Sequence, residues 1–184
     1  MNYLLDANTF IEAKNRYYNM VVCPGYWDWI ELEFADGEVA SVESVGDELL
    51  SGNDELKTWA ASHKPLFLPV SDEETQVAFA EIAAHAVDLA AEMKPGALEE
   101  FLGGADPWLI AKARVQGSVV VTHEQFNPQR QKENPDSQRM QTVRCALDEH
   151  VRIVAGVGGE VCAGRLATGQ GLHSIWSCET DRCC

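Results

Sequence analysis

Four acidic residues stand where an α/β protein places its chemistry. Asp6 ends the apolar run Tyr3-Leu4-Leu5, and Glu48 lies in the helical stretch after Val39-Ala40-Ser41-Val42. Asp106 precedes Pro107 at a helix start, and Glu124 follows Ser118–Thr122 by two residues. A carboxylate that ends a buried strand costs free energy unless a cation or a hydrogen-bond donor meets it. In an open parallel sheet, working residues collect at the carboxyl ends of strands and the starts of the following helices. Acids converging there repel one another unless cations hold them together. Oxygen-rich clusters suit Mg²⁺ or Mn²⁺, which bind phosphate-containing substrates. The pattern therefore predicts Asp6, Glu48, Asp106 and Glu124 as a metal-ligating set. Each acid also has a purely structural explanation. Asp6 can cap a helix, with Thr9 as its third residue on; Asp106 is a good N-cap ahead of Pro107. Glu48 can be a solvated helix acid, and Glu124 simply loop.

The elements that must position these acids can be read from periodicity. Tyr3–Leu5 predicts a short buried strand and Asn8–Tyr18 a helix, with Phe10, Ile11 and Tyr17 on one side. Pro24 starts a second helix carrying Trp27, Ile30 and Phe34, and Asp36-Gly37 marks a turn. Val39–Val42 is a second strand, Ser44–Leu50 a helix ended by Gly52, and Asn53 a cap for a further helix with Leu56 and Trp59 inward. The longest periodic stretch runs from Ser71 to Met93, opened by a Ser71/Glu74 capping box and stopped at Pro95-Gly96. The Asp106 helix, with Leu109, Ile110 and Ala113 apolar, closes at Gly117 and leads into Ser118–Thr122, a strand apolar on both faces. Gln125–Ser137 reads as loop, Met140, Val143 and Leu147 as helix, and Val151–Val154 as a strand. Strands alternating with helices predict an α/β, three-layer domain with a mainly parallel central sheet over residues 1–155. Residues 156–184 are rich in Gly and Cys, without periodicity, and are expected to be an irregular tail outside the catalytic centre.

Composition narrows the classes. The formal net charge of −15 argues against a protein that grips duplex nucleic acid by bulk electrostatics. It leaves room for an enzyme that holds a phosphodiester through a cation. None of the six cysteines forms a CxxC pair, so zinc is not expected and free thiols are. No apolar run reaches the length of a membrane span and no basic-then-apolar leader precedes Asp6, so the expectation is a cytoplasmic protein.

Four stretches, "YLLDANTFI", "SVGDELLSG", "ADPWLIAKA" and "VVVTHEQ", occur in this order and together resemble the PIN-domain superfamily. Its members are metal-dependent ribonucleases, many of them toxins of VapBC-type toxin–antitoxin pairs. "AKNRYYNMVVCPGYWDWIE" further resembles a bacterial PIN-like subfamily of largely uncharacterised members, and the likeness covers about the first four-fifths of the chain. The resemblance implies an Mg²⁺- or Mn²⁺-dependent endoribonuclease, with RNA as substrate, an antitoxin as partner and a second copy of the chain as a dimer mate. It assigns Asp6, Glu48 and Asp106 to the family acids, and Asn8 and Thr122 to the supporting polar positions. Glu124 falls where the family usually has Asp, one methylene shorter. The tail lacks the closing strand–helix–strand of the subfamily. Two other readings stand beside the nuclease: a PIN-like scaffold without catalysis, and another Mg²⁺-dependent phosphate-processing α/β enzyme.

Other patterns fail on inspection. "HEQFN" lacks the second His of a zinc-protease helix, which leaves His123 as a loop residue. "GEVCAGRL" has Arg165 and Leu166 where a phosphate loop needs Lys and Ser/Thr. Trp27 and Trp29 cannot share one helix face, which predicts one in the core and one at its rim. Lys14, Arg16, Arg130, Lys132 and Arg139 are the cations within reach of an RNA backbone, though each is as readily a solvated surface charge.

Overall fold

The computed structural model describes residues 1–90, 95–123 and 152–155. Strand β1 (Tyr3–Leu5) leads into helix α1 (Ala7–Glu12), which continues as a π-helical segment (Ala13–Tyr17). Helix α2 (Pro24–Ala35), strand β2 (Val39–Val42), and helices α3 (Glu43–Ser51) and α4 (Glu55–Ser62) follow. A 3₁₀ turn (Lys64–Leu66) feeds the two-residue strand β3 (Phe67–Leu68). Then come α5 (Glu73–Leu89), α6 (Ala97–Gly103), α7 (Asp106–Gln116), β4 (Val119–Thr122) and β5 (Arg152–Ala155).

The strands form one five-stranded sheet in the order β3-β2-β1-β4-β5, and every pairing is parallel. The order runs outward from β1 in both directions. Right-handed crossovers then lay helices on both faces of the sheet. The expected α/β architecture is therefore present, and β1 lies at its centre. Leu4, Ala40, Val42, Phe10, Ile30, Ile82, Leu109 and Ile110 are almost fully buried and form one core with the sheet. Among the described residues, no helix is long and apolar enough to cross a membrane.

Several expectations shift by a residue or a turn. The first helix buries Thr9, Phe10 and Ala13, whereas Ile11 is exposed on its other side and Tyr17 at the end of the π segment. The cap of α4 is Asp54 rather than Asn53; its carboxylate accepts from the Leu56 amide at 3.1 Å. The cap of α5 is Asp72 rather than Ser71, accepting from the Thr75 amide at 3.0 Å. Ala105 caps α7, which puts Asp106 in the first turn instead of at the cap. Trp27 is buried and Trp29 half-buried, the core-and-rim arrangement. Gly117 ends α7 in the left-handed region at φ +66°, as a helix stop requires. Glu124, the Gln125–Ser137 loop, the helix expected around Met140, Val143 and Leu147, and the 156–184 tail lie outside the described residues.

Candidate active site

β1 and β4 are neighbours in the sheet, but the chain leaves β1 towards β2 and arrives at β4 from β3 on the far side. The gap at their carboxyl ends is thus the switch point, where open α/β sheets bind ligands. Asp6 occupies it. Its amide donates to the Val121 carbonyl at 3.0 Å, which continues the β1–β4 ladder by one residue. Its side chain is buried, 3% exposed. The backbone of Asp6 begins α1, with the Thr9 amide donating to the Asp6 carbonyl at 3.0 Å, yet the carboxylate makes no cap bond. It accepts instead from the Thr122 hydroxyl at 2.7 Å and, at 3.5 Å, from the Asn8 side-chain amide. Thr9 ties the same two elements by donating its hydroxyl to the Val121 carbonyl at 2.9 Å.

Glu48 and Asp106 lie on helices α3 and α7. Glu48 lies in the second turn of α3, and its Oε1 accepts from the Ala105 amide at 2.9 Å. That contact satisfies an amide at the start of α7 and fixes the residue beside Asp106. Helix α7 runs into β4, so its start lies on the carboxyl side of the sheet, as does Asp6. Behind it, α7 is bound to α5 by the Lys112–Asp72 and Arg114–Glu81 ion pairs and by Phe79 stacked on Trp108 (centroids 3.7 Å apart, 12° between planes).

Asp6, Asn8 and Thr122 are joined by hydrogen bonds, and Glu48 is joined to the α7 start that carries Asp106. Among the described residues, no three of His, Cys, Asp and Glu form a group that could hold a metal ion. The donors nonetheless suit a hard cation in kind, since Mg²⁺ commonly takes one or two carboxylates and leaves its other positions to water and phosphate. The contact of Glu48 with a backbone amide carries no sequence signal, because its partner lies 57 residues away. Of the cations named from the sequence, Lys14 pairs with Asp54 and Glu55, and Arg16 with Glu12.

Similar solved structures include VapBC-5, a member of the VapBC family of toxin–antitoxin systems from Mycobacterium tuberculosis. It is 16% identical, with a TM-score of 0.45, over 84% of this chain and 97% of that one. Another is VapBC2 from Rickettsia felis bound to a DNA fragment from their promoter, 16% identical with a TM-score of 0.43, over 74% of this chain and 95% of that one. No curated protein matches the chain. One family, described as a domain of unknown function (DUF4411), matches residues 3–148. On that match the chain belongs to the DUF4411 family, which is PIN-like.

Proposed function

We propose that the protein is a metal-dependent endoribonuclease that hydrolyses RNA phosphodiester bonds at the β1/β4 switch point, and that it serves as the toxin of a toxin–antitoxin pair. The observation that carries this reading is the buried Asp6 carboxylate, held by Thr122 at that switch point. RNA as substrate, the antitoxin and the dimer rest on the ordered PIN-type motifs. A chain of net charge −15 has little bulk attraction for a phosphodiester, so a local cation is the economical way to hold one. Bound Mg²⁺ or Mn²⁺ supplies counter-charge to the phosphate and lowers the pKa of a nearby water. Asp6 and Asp106 are the residues to hold it. Thr122 and Asn8 keep the Asp6 carboxylate in one orientation, and Glu48 positions Asp106 by anchoring the start of α7. Glu124, just past Thr122, is assigned to orient the attacking water or to hold a second ion.

A binding module without catalysis is the second reading, favoured by Glu124 standing where the family usually has Asp. Incubation of EDTA-stripped protein with single-stranded RNA separates the two. Cleavage that appears with Mg²⁺ or Mn²⁺ and disappears in Asp106→Asn supports the nuclease. RNA binding without cleavage in any divalent metal supports the module.

A further inference from the structure

We propose that Tyr17 and His123 form a stacking platform for a base of single-stranded RNA at the edge of the candidate active site. The proposal rests on the ribonuclease reading and names the group that would grip its substrate. Helix α1 starts immediately after Asp6 and ends in the π segment, where the Tyr18 amide donates to the Ala13 carbonyl five residues back at 2.6 Å. π-helical turns are rare and occur frequently at functional sites. This one delivers Tyr17 to the surface, 51% exposed. There its ring stacks on His123, with centroids 5.4 Å apart and 23° between planes. His123 directly follows Thr122, whose hydroxyl holds Asp6. The pair therefore ties the end of the first helical segment to the residue next to Thr122, with Tyr17 outside the core.

The chemistry on this rim favours a nucleobase. Lys14 and Arg16, in the same π segment, are engaged by Asp54, Glu55 and Glu12. What the segment offers is an aromatic face. Base–aromatic stacking does not depend on net charge and accepts any base, so it is the term an acidic protein can use to hold single-stranded RNA.

The test uses the full chain, unchanged or carrying Tyr17→Ala, Tyr17→Phe or His123→Ala, with a single-stranded oligoribonucleotide containing 2-aminopurine. Stacking predicts that Tyr17→Ala raises KM for cleavage by roughly 10-fold. It predicts kcat within about twofold of the unchanged protein. Quenching of the 2-aminopurine on binding should be lost in Tyr17→Ala, weakened in His123→Ala and kept in Tyr17→Phe. A Tyr17→Ala protein that quenches and cleaves like the unchanged one overturns the platform alone. The same holds if Tyr17→Ala impairs only capture of a protein partner. Quenching by the unchanged chain without cleavage supports the platform and overturns the nuclease. An unchanged chain that neither quenches nor cleaves overturns both.

Discussion

At the scale of the residue, the side chain of Asp6 bonds to the neighbouring strand and not to the first backbone amides of its own helix. A carboxylate at a helix start ordinarily accepts from the first amides. Here the donor is Thr122, 116 residues away, and the carboxylate is buried. Such a partner works by orientation, and losing one typically costs about 10–100-fold in activity or metal affinity. Thr122→Val is therefore expected to reduce RNA cleavage by about 10–100-fold with the fold intact, and Thr122→Ser to restore most of it. Circular dichroism alongside the cleavage assay checks both halves. The acid positions were legible because strand ends follow from apolar runs such as Tyr3-Leu4-Leu5. The roles of Thr122 and Asn8 came from motif likeness alone, and the anchoring of Ala105 by Glu48 left no trace in local spacing.

At the scale of the element, the site depends on how α3 and α7 are seated. Gly46 in α3 faces Phe67 of β3: a Cβ there would lie 2.9 Å from the ring's Cγ. Alanine is the better helix former, but Phe67 also packs on Phe10, with centroids 6.2 Å apart, and cannot simply withdraw. Overpacking wins, and Gly46→Ala should destabilise by about 1–3 kcal/mol, read as a lower urea midpoint at unchanged slope. Helix α7 is secured from the other side by Lys112, whose hydrogen bond, helped by Thr75, holds the Asp72 carboxyl well below the usual carboxylate range. A lowered folded-state pKa stabilises above the unfolded value and is lost on acidification. The contribution is therefore complete at neutral pH and wanes as the pH falls below the ordinary 3.8. Asp72 is exposed, so salt weakens the effect. Asp72→Asn should lower Tm at pH 7, and the gap to the unchanged protein should narrow in acid; calorimetry across pH is the check. Long periodic helices are legible here, whereas β3 is not, because its two residues, Phe67 and Leu68, sit in an apolar triplet between Pro65 and Pro69 that shows no alternation. Helix α6 was missed as well, and caps slipped by one residue wherever two adjacent polar residues competed, as at Asn53-Asp54 and Ser71-Asp72.

At the scale of the whole molecule, β1 is central because later strands were added on both of its sides, and the switch point follows from that order. Alternating strands and helices made the parallel sheet legible; the strand order had to come from tertiary pairing, which local periodicity does not encode. A chain of net charge −15 that holds a phosphate through a cation should bind that cation in its folded state. Ligand at 100 times its Kd stabilises by about 2.7 kcal/mol, so Mg²⁺ or Mn²⁺ at that excess should raise the Tm of EDTA-stripped protein by roughly 5–11 °C. Asp6→Asn should remove that shift in a thermal scan. The central claim is that Asp6 at the β1/β4 switch point is the functional centre. Its most direct test compares metal-dependent RNA cleavage by Asp6→Asn with Asp88→Asn, an equal change of charge on the exposed face of α5. Asp6→Asn is expected to lose roughly 10²–10³-fold of the activity while Asp88→Asn keeps all of it. Equal activity in the two variants would contradict the claim.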